Sequence, residues 1–228
     1  MRNIILNIPH SSINGIFDNE IGGWERNPFF INDCVNKLTD WHTDFIFKTS
    51  NPLVRSVVFP YSRFVCDVER LENDAMEDIG QGIIYTHFNN YKREITDTKT
   101  LYKLREHHLQ ELIKGIKDND VIIDCHSFSN TSNSCDICIG FNDDFSYDEE
   151  IINIVVDEFK KSGYSVGINT PYSNSITPKS DVKYKSVMIE VNKRIYMNEN
   201  TLQLSSNPRQ WIRWFNTIDR IYKRITDC

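Results

Sequence analysis

The chain has 228 residues with 26 Lys and Arg against 32 Asp and Glu, a formal net charge of −6. Its apolar and charged fractions are those of a soluble globular protein with a sizeable core. No Lys/Arg stripe is present to neutralise phosphates, which argues against a nucleic-acid partner. No apolar run approaches the roughly 18–20 residues of a membrane span. The opening MRNIILNIPHSS breaks at Pro9, too early for a signal peptide, so the chain reads as cytoplasmic and its six cysteines as reduced.

In chain order, Asn3–Ile8 reads as a strand and Cys34–Lys48 as a helix, with Val35, Leu38, Phe45 and Ile46 on one stripe. Strands are expected at Val54–Phe59 and Arg63–Val68, on either side of the turn-prone Pro60. Residues 71–97 are irregular. Three helices follow: Thr98–Lys117, Asp148–Lys161 with an acidic first turn, and Pro208–Ile225 with proline at its first position. Between them lie apolar strands at Val121–Cys125, Asp136–Phe141, Ser165–Asn169 and Ser186–Val191. This alternation predicts a single α/β domain over residues 1–228, with a mixed, mostly parallel sheet covered by helices on both faces.

Ligands of open α/β sheets sit beyond the carboxyl ends of the strands, and three such ends carry unusual groups. NIILNIPH delivers His10, VIIDCHS delivers Asp124 and His126, and SVMIEVN delivers Glu190 from an apolar run. Asp124 and His126 stand two apart and share a side of their strand. Two histidines and two carboxylates at one sheet edge suit a catalytic metal with an open position for water. Each residue also has a plainer reading: a hydrogen-bonded structural histidine, an edge glutamate, or an aspartate capping the Ser/Asn-rich SFSNTSNS. His108 lies on the apolar stripe of its helix and reads as a core residue. In CDICIGF, Cys135 and Cys138 face opposite sides of a strand and read as ordinary cysteines.

NIPHSS, LTDWHTDFIF, YSRFVCDVER, GIIYT, VIIDCHS and VMIEVNKRIYMNE, in this order, resemble the N-formylglutamate amidohydrolase family over most of the chain. The resemblance implies a zinc-carboxypeptidase-like (phosphorylase/hydrolase-like) fold and one zinc ion. It implies His10 and His126 as ligands, with a third from TDWHTD: Asp44 by preference, Asp40 as the rival one helical turn away, His42 as the weaker choice. It makes Glu190 the general base, Arg63 an aid to the oxyanion and Arg70 the clamp for a substrate carboxylate. Asn169 and Ser175 are assigned to substrate binding. The implied reaction releases formate from N-formylglutamate, a small-molecule N-acyl amino acid of histidine breakdown.

Two positions depart from the family pattern. Glu69 stands where asparagine usually precedes the clamp arginine, and a second negative charge there disfavours a dicarboxylate unless Glu69 turns away. Ser173, Asn174 and Ser175 replace a Gly-Gly in the loop before the last core strand. The competing readings are a carboxypeptidase-like peptidase and a metal-free protein that holds an anionic ligand.

Overall fold

Buried apolar runs at Val121–Ile123 and Val187–Ile189 make the centre of the sheet. A computed structural model describes residues 1–95, 97–130 and 134–228, so part of the SFSNTSNS run lies outside the described residues. The chain groups into two compact units: residues 1–8, 42–57 and 112–228, and residues 9–41 and 58–111.

The first unit holds a six-stranded sheet: β1 (Ile4–Ile8), β2 (Val54–Val58, its last residue assigned to the second unit), β3 (Val121–Phe128), β4 (Ile137–Gly140), β5 (Val166–Ile168) and β6 (Lys185–Asn192). The strand order is β2-β1-β3-β6-β4-β5. The β1–β3, β3–β6 and β4–β5 pairs are parallel and β4–β6 is antiparallel. The sheet is therefore mixed and mostly parallel, as the α/β reading expected. Every residue of β1, β3 and β4 is buried. Side chains alternate across a strand, so unbroken burial means that both faces are covered.

Helix Thr98–Ile113 stops before the expected Lys117 because Gly115 takes a left-handed conformation (φ 69°) that ends a helix. Helices Glu149–Lys161 and Pro208–Asp227 follow their sequence signals closely. Asp148 caps the first by accepting from the N–H groups of Glu150 and Ile151. Asn207 caps the second, whose Trp214 is buried and donates to the Ile46 carbonyl at 2.7 Å.

The second unit is built on aromatic packing. Trp24 stacks on Phe30 with ring centroids 4.7 Å apart, and Phe64 meets both edge-on. A neighbouring cluster gathers Phe59, Val65, Cys66, Val68, Ile83, Ile84 and Leu101. His108 is buried edge-on to Phe59, which agrees with its core reading.

Two expected elements are different. The helix over Cys34–Lys48 is in two pieces: a segment from Pro28 to Leu38 that passes through a π-helical turn at Ile31–Val35, and a short turn at Thr43–Ile46. Thr39 adopts an extended conformation, its hydroxyl donating back to the Val35 carbonyl at 2.7 Å, and His42 is left-handed at φ 64°. Asp40 donates its N–H to the His10 carbonyl at 2.9 Å, a bond that a continuous helix would forbid. The expected strand Arg63–Val68 is instead a turn. The Ser62 carbonyl accepts from Val65 and Cys66, and its hydroxyl accepts from Phe64.

Candidate functional site

In the second unit, polar groups converge on Asp67. The turn after Ser62 places Arg63 and Asp67 side by side, with Nη2 of Arg63 2.8 Å and Nε 3.3 Å from Asp67 Oδ2. The Tyr85 hydroxyl donates to the same oxygen at 3.1 Å, and His10 Nε2 lies 2.9 Å from Oδ1. Burial by itself would raise the Asp67 pKa. Arg63 foremost, then His10 and Arg70, outweigh it and hold the carboxyl well below the usual range.

An ionised carboxylate only accepts, so the His10 proton sits on Nε2 and the lone pair of the neutral ring on Nδ1. That nitrogen faces Asp40 Oδ2 at 3.6 Å and Glu69 Oε2 at 3.8 Å. His10, Asp40 and Asp67 are all buried. Burial and the Arg63 charge disfavour protonation of His10, but Asp67 and Asp40 overcome both and raise its pKa. A lone pair facing a buried carboxylate calls for a positive charge between them, whether a proton or a metal ion. An imidazole nitrogen with carboxylate oxygens is a donor set that divalent ions accept.

In the first unit, the sheet aligns a second group. His126 on β3 lies in register beside Glu190 on β6, and Asn7 on β1 lies beside Asp124. Register neighbours and residues two apart share a face, so all four side chains lie on one side of the sheet, toward the strands' carboxyl ends. His126 Nε2 is 3.0 Å from Asp124 Oδ1, which also accepts from Asn7 Nδ2 at 2.8 Å. The other oxygen of Asp124 accepts from the Ile176 N–H at 3.0 Å. The arrangement repeats that of His10, with a buried aspartate at Nε2; an ionised Asp124 would accept from Nε2 and leave the ring's lone pair on Nδ1. Cys125 points the opposite way and is fully buried.

The remaining expected site residues fall as follows. Asp44 has an exposed side chain on the Thr43–Ile46 turn of the first unit, whereas Asp40 is the carboxylate that faces His10. The premise that both lie on one helix, a turn apart, does not hold. His42 Nε2 lies 2.9 Å from the Leu202 carbonyl. Arg63 is engaged by Asp67. Arg70 has looser contacts, 3.7 Å to Asp67 and 3.8 Å to Asp74, and is pinned through its carbonyl by Arg105 Nη2 at 2.9 Å. Asn169 accepts from the Phe141 N–H through its side-chain oxygen at 3.0 Å. The Ser175 hydroxyl lies 2.6 Å from that of Ser186. Both therefore staple the loop they belong to. Asp67, Tyr85 and Asn7 went unassigned in the sequence. Asp67 carried a signal, an acid inside the apolar FVCDV, parallel to Asp124 in VIIDC.

Comparison with known proteins gives a consistent result. The chain resembles the crystal structure of N-formylglutamate amidohydrolase from Ralstonia eutropha JMP134, with 16% identity and a TM-score of 0.74 over 100% of this chain and 95% of that one. It also resembles gene product Atu2144 from Agrobacterium tumefaciens, with 14% identity and a TM-score of 0.60 over 99% and 91%. At these identities the likeness is one of fold. No curated protein matches the chain by sequence. The family model described as N-formylglutamate amidohydrolase matches residues 3–197, which take in the motifs above up to Met197 of the last one, and on that match the chain belongs to the N-formylglutamate amidohydrolase family.

Proposed function

We propose that the protein hydrolyses the amide of an N-acyl amino acid, formyl foremost, with the help of one divalent metal ion, zinc by preference. Family membership supports the reaction class. The observation that carries the metal is the paired arrangement of the histidines: a buried aspartate at Nε2 of each fixes the ring and presents Nδ1. His10 and His126 are the proposed nitrogen ligands. Asp40 takes the place of Asp44 as the proposed carboxylate ligand because it faces His10 Nδ1 at 3.6 Å.

When bound, a divalent ion would supply positive charge for the amide carbonyl and lower the pKa of water to about 7. Glu190 is the proposed general base. Its carboxylate takes a proton from the attacking water and passes it to the leaving nitrogen as the C–N bond breaks. The products are a carboxylic acid, formate for a formyl substrate, and the free amino acid. Arg70 offers its guanidinium fork to the substrate carboxylate. Arg63 acts through Asp67 and keeps it ionised against His10, which differs from the oxyanion role expected for it.

The test is metal content per chain, on protein purified without chelator, together with formate release from N-formyl amino acids. We expect about one ion in the wild type and in Glu190→Gln, with turnover in the variant reduced by about 10²–10⁴. Absence of metal and of formate release after zinc addition would sink the proposal. Unchanged turnover in Glu190→Gln would remove the base assignment.

A further inference from the structure

We infer that Tyr172 and Phe128 form an aromatic subsite beside Glu190, and that the preferred substrate is an N-formyl amino acid with an aromatic or large apolar side chain. The inference rests on the hydrolase reading above and deepens it. His126, Glu190 and Cys138 are register neighbours on β3, β6 and β4, so they form one row across three adjacent strands on one face of the sheet. Phe128 stands two residues beyond His126 on that face, at the carboxyl end of β3, and is buried. The loop between β5 and β6 returns over this row. The Cys138 thiol donates to the Tyr172 carbonyl at 3.2 Å, and the Tyr172 ring packs on Phe128 with centroids 5.6 Å apart and planes tilted by 58°. Because β6 lies between β4 and β3, Tyr172 reaches across the strand that carries Glu190.

The residues after Tyr172 hold it there. A Cβ at Gly140 would lie 2.5 Å from the Asn174 carbonyl oxygen, so the glycine lets the loop settle onto β4. The Ser175 N–H donates to Asn142 Oδ1 at 3.2 Å, and the Ile176 N–H donates at 3.0 Å to Asp124, the aspartate beside His126. The Tyr172 ring is thus fixed against Phe128 while the residue stays 45% exposed. A ring already held in place beside the reacting groups can cover an apolar group at little further cost in ordering. A formyl group has no apolar body to offer it. The group that the ring covers therefore belongs to the side chain of the amino acid.

The experiment compares N-formyl-L-phenylalanine with N-formyl-L-alanine on wild type, Tyr172→Phe and Tyr172→Ala, with metal content and melting temperature measured on each protein. We expect the wild type to favour the phenylalanine derivative by at least about tenfold in kcat/KM, mainly through KM. Tyr172→Phe should keep that ratio and Tyr172→Ala should bring it to near unity, with metal content unchanged in both. Equal or better use of the alanine derivative by the wild type overturns the inference and leaves the hydrolase reading standing. A ratio unaltered in Tyr172→Ala also overturns it. A ratio lost in Tyr172→Phe overturns it by assigning the effect to the hydroxyl rather than the ring. If the metal-loaded wild type releases formate from neither compound nor from N-formyl-L-glutamate, the hydrolase reading fails and the inference fails with it.

Discussion

His10 and His126 are each held by a buried aspartate, and the direction of that hydrogen bond decides which nitrogen is available to a ligand. The identity of the carboxylate beside His10 is as consequential. Asp40 is buried and 3.6 Å from Nδ1, while Asp44 is exposed. We therefore predict that Asp40→Asn loses the bound metal and the activity together, whereas Asp44→Asn keeps both, as read by metal analysis and formate release. Metal retained in Asp40→Asn and lost in Asp44→Asn would restore the assignment made from the motif TDWHTD. The proposed roles of His10, His126, Glu190 and Arg70 come from strand ends and motif resemblance. The choice of Asp40 over Asp44 does not, because it depends on where Thr39 breaks the helix.

At the scale of elements, helices and strands with strong local signals form where the pattern places them. Asp148 and Asn207 cap their helices, Pro208 opens the last one, and the apolar runs of β3 and β6 are buried. The last two helices are joined by Glu158, which accepts from Arg220 Nε and Arg224 Nη1, each at 2.8 Å. The Arg220 hydrogen bond foremost, against some loss of solvation and with help from Arg224, lowers the Glu158 pKa from the ordinary 4.5. A lowered carboxylate pKa stabilises the fold above the unfolded value and ceases to do so as pH falls through the folded one. Wild type should thus be more stable than Glu158→Gln at pH 7. The gap should hold down to about pH 4.5 and close below it, as followed by urea melts along a pH series. A gap that persists undiminished at pH 3 would contradict the linkage. The elements that sequence misread, 34–48 and 63–68, have apolar patterns cut by hydrogen bonds from Ser62, Thr39 and Asp40.

At the scale of the molecule, each compact unit carries its own apolar core, a buried sheet in one and an aromatic cluster in the other. Among the described residues no helix is long and apolar enough to cross a membrane. A metal that binds the native state and not the unfolded chain stabilises folding by mass action, by about 2.7 kcal/mol at a free concentration one hundred times Kd. We predict that zinc raises the melting temperature of chelator-treated protein, that chelator reverses the rise, and that Asp40→Asn abolishes it. A melting curve indifferent to zinc would argue for the metal-free binding reading. Sequence by itself determined the α/β class, the central strands, the long helices and the family, because apolar periodicity, caps and short motifs act within a few residues. Only tertiary structure decided that Asp40 faces His10, that Arg63 serves Asp67 and that Glu69 turns inward. The contacts of His10 depend on residues far apart in the chain, such as the Asp40 N–H to the His10 carbonyl and the His10 ring to Asp67, whereas Arg63 and Asp67 stand four apart and meet because a turn after Ser62 replaces the expected strand.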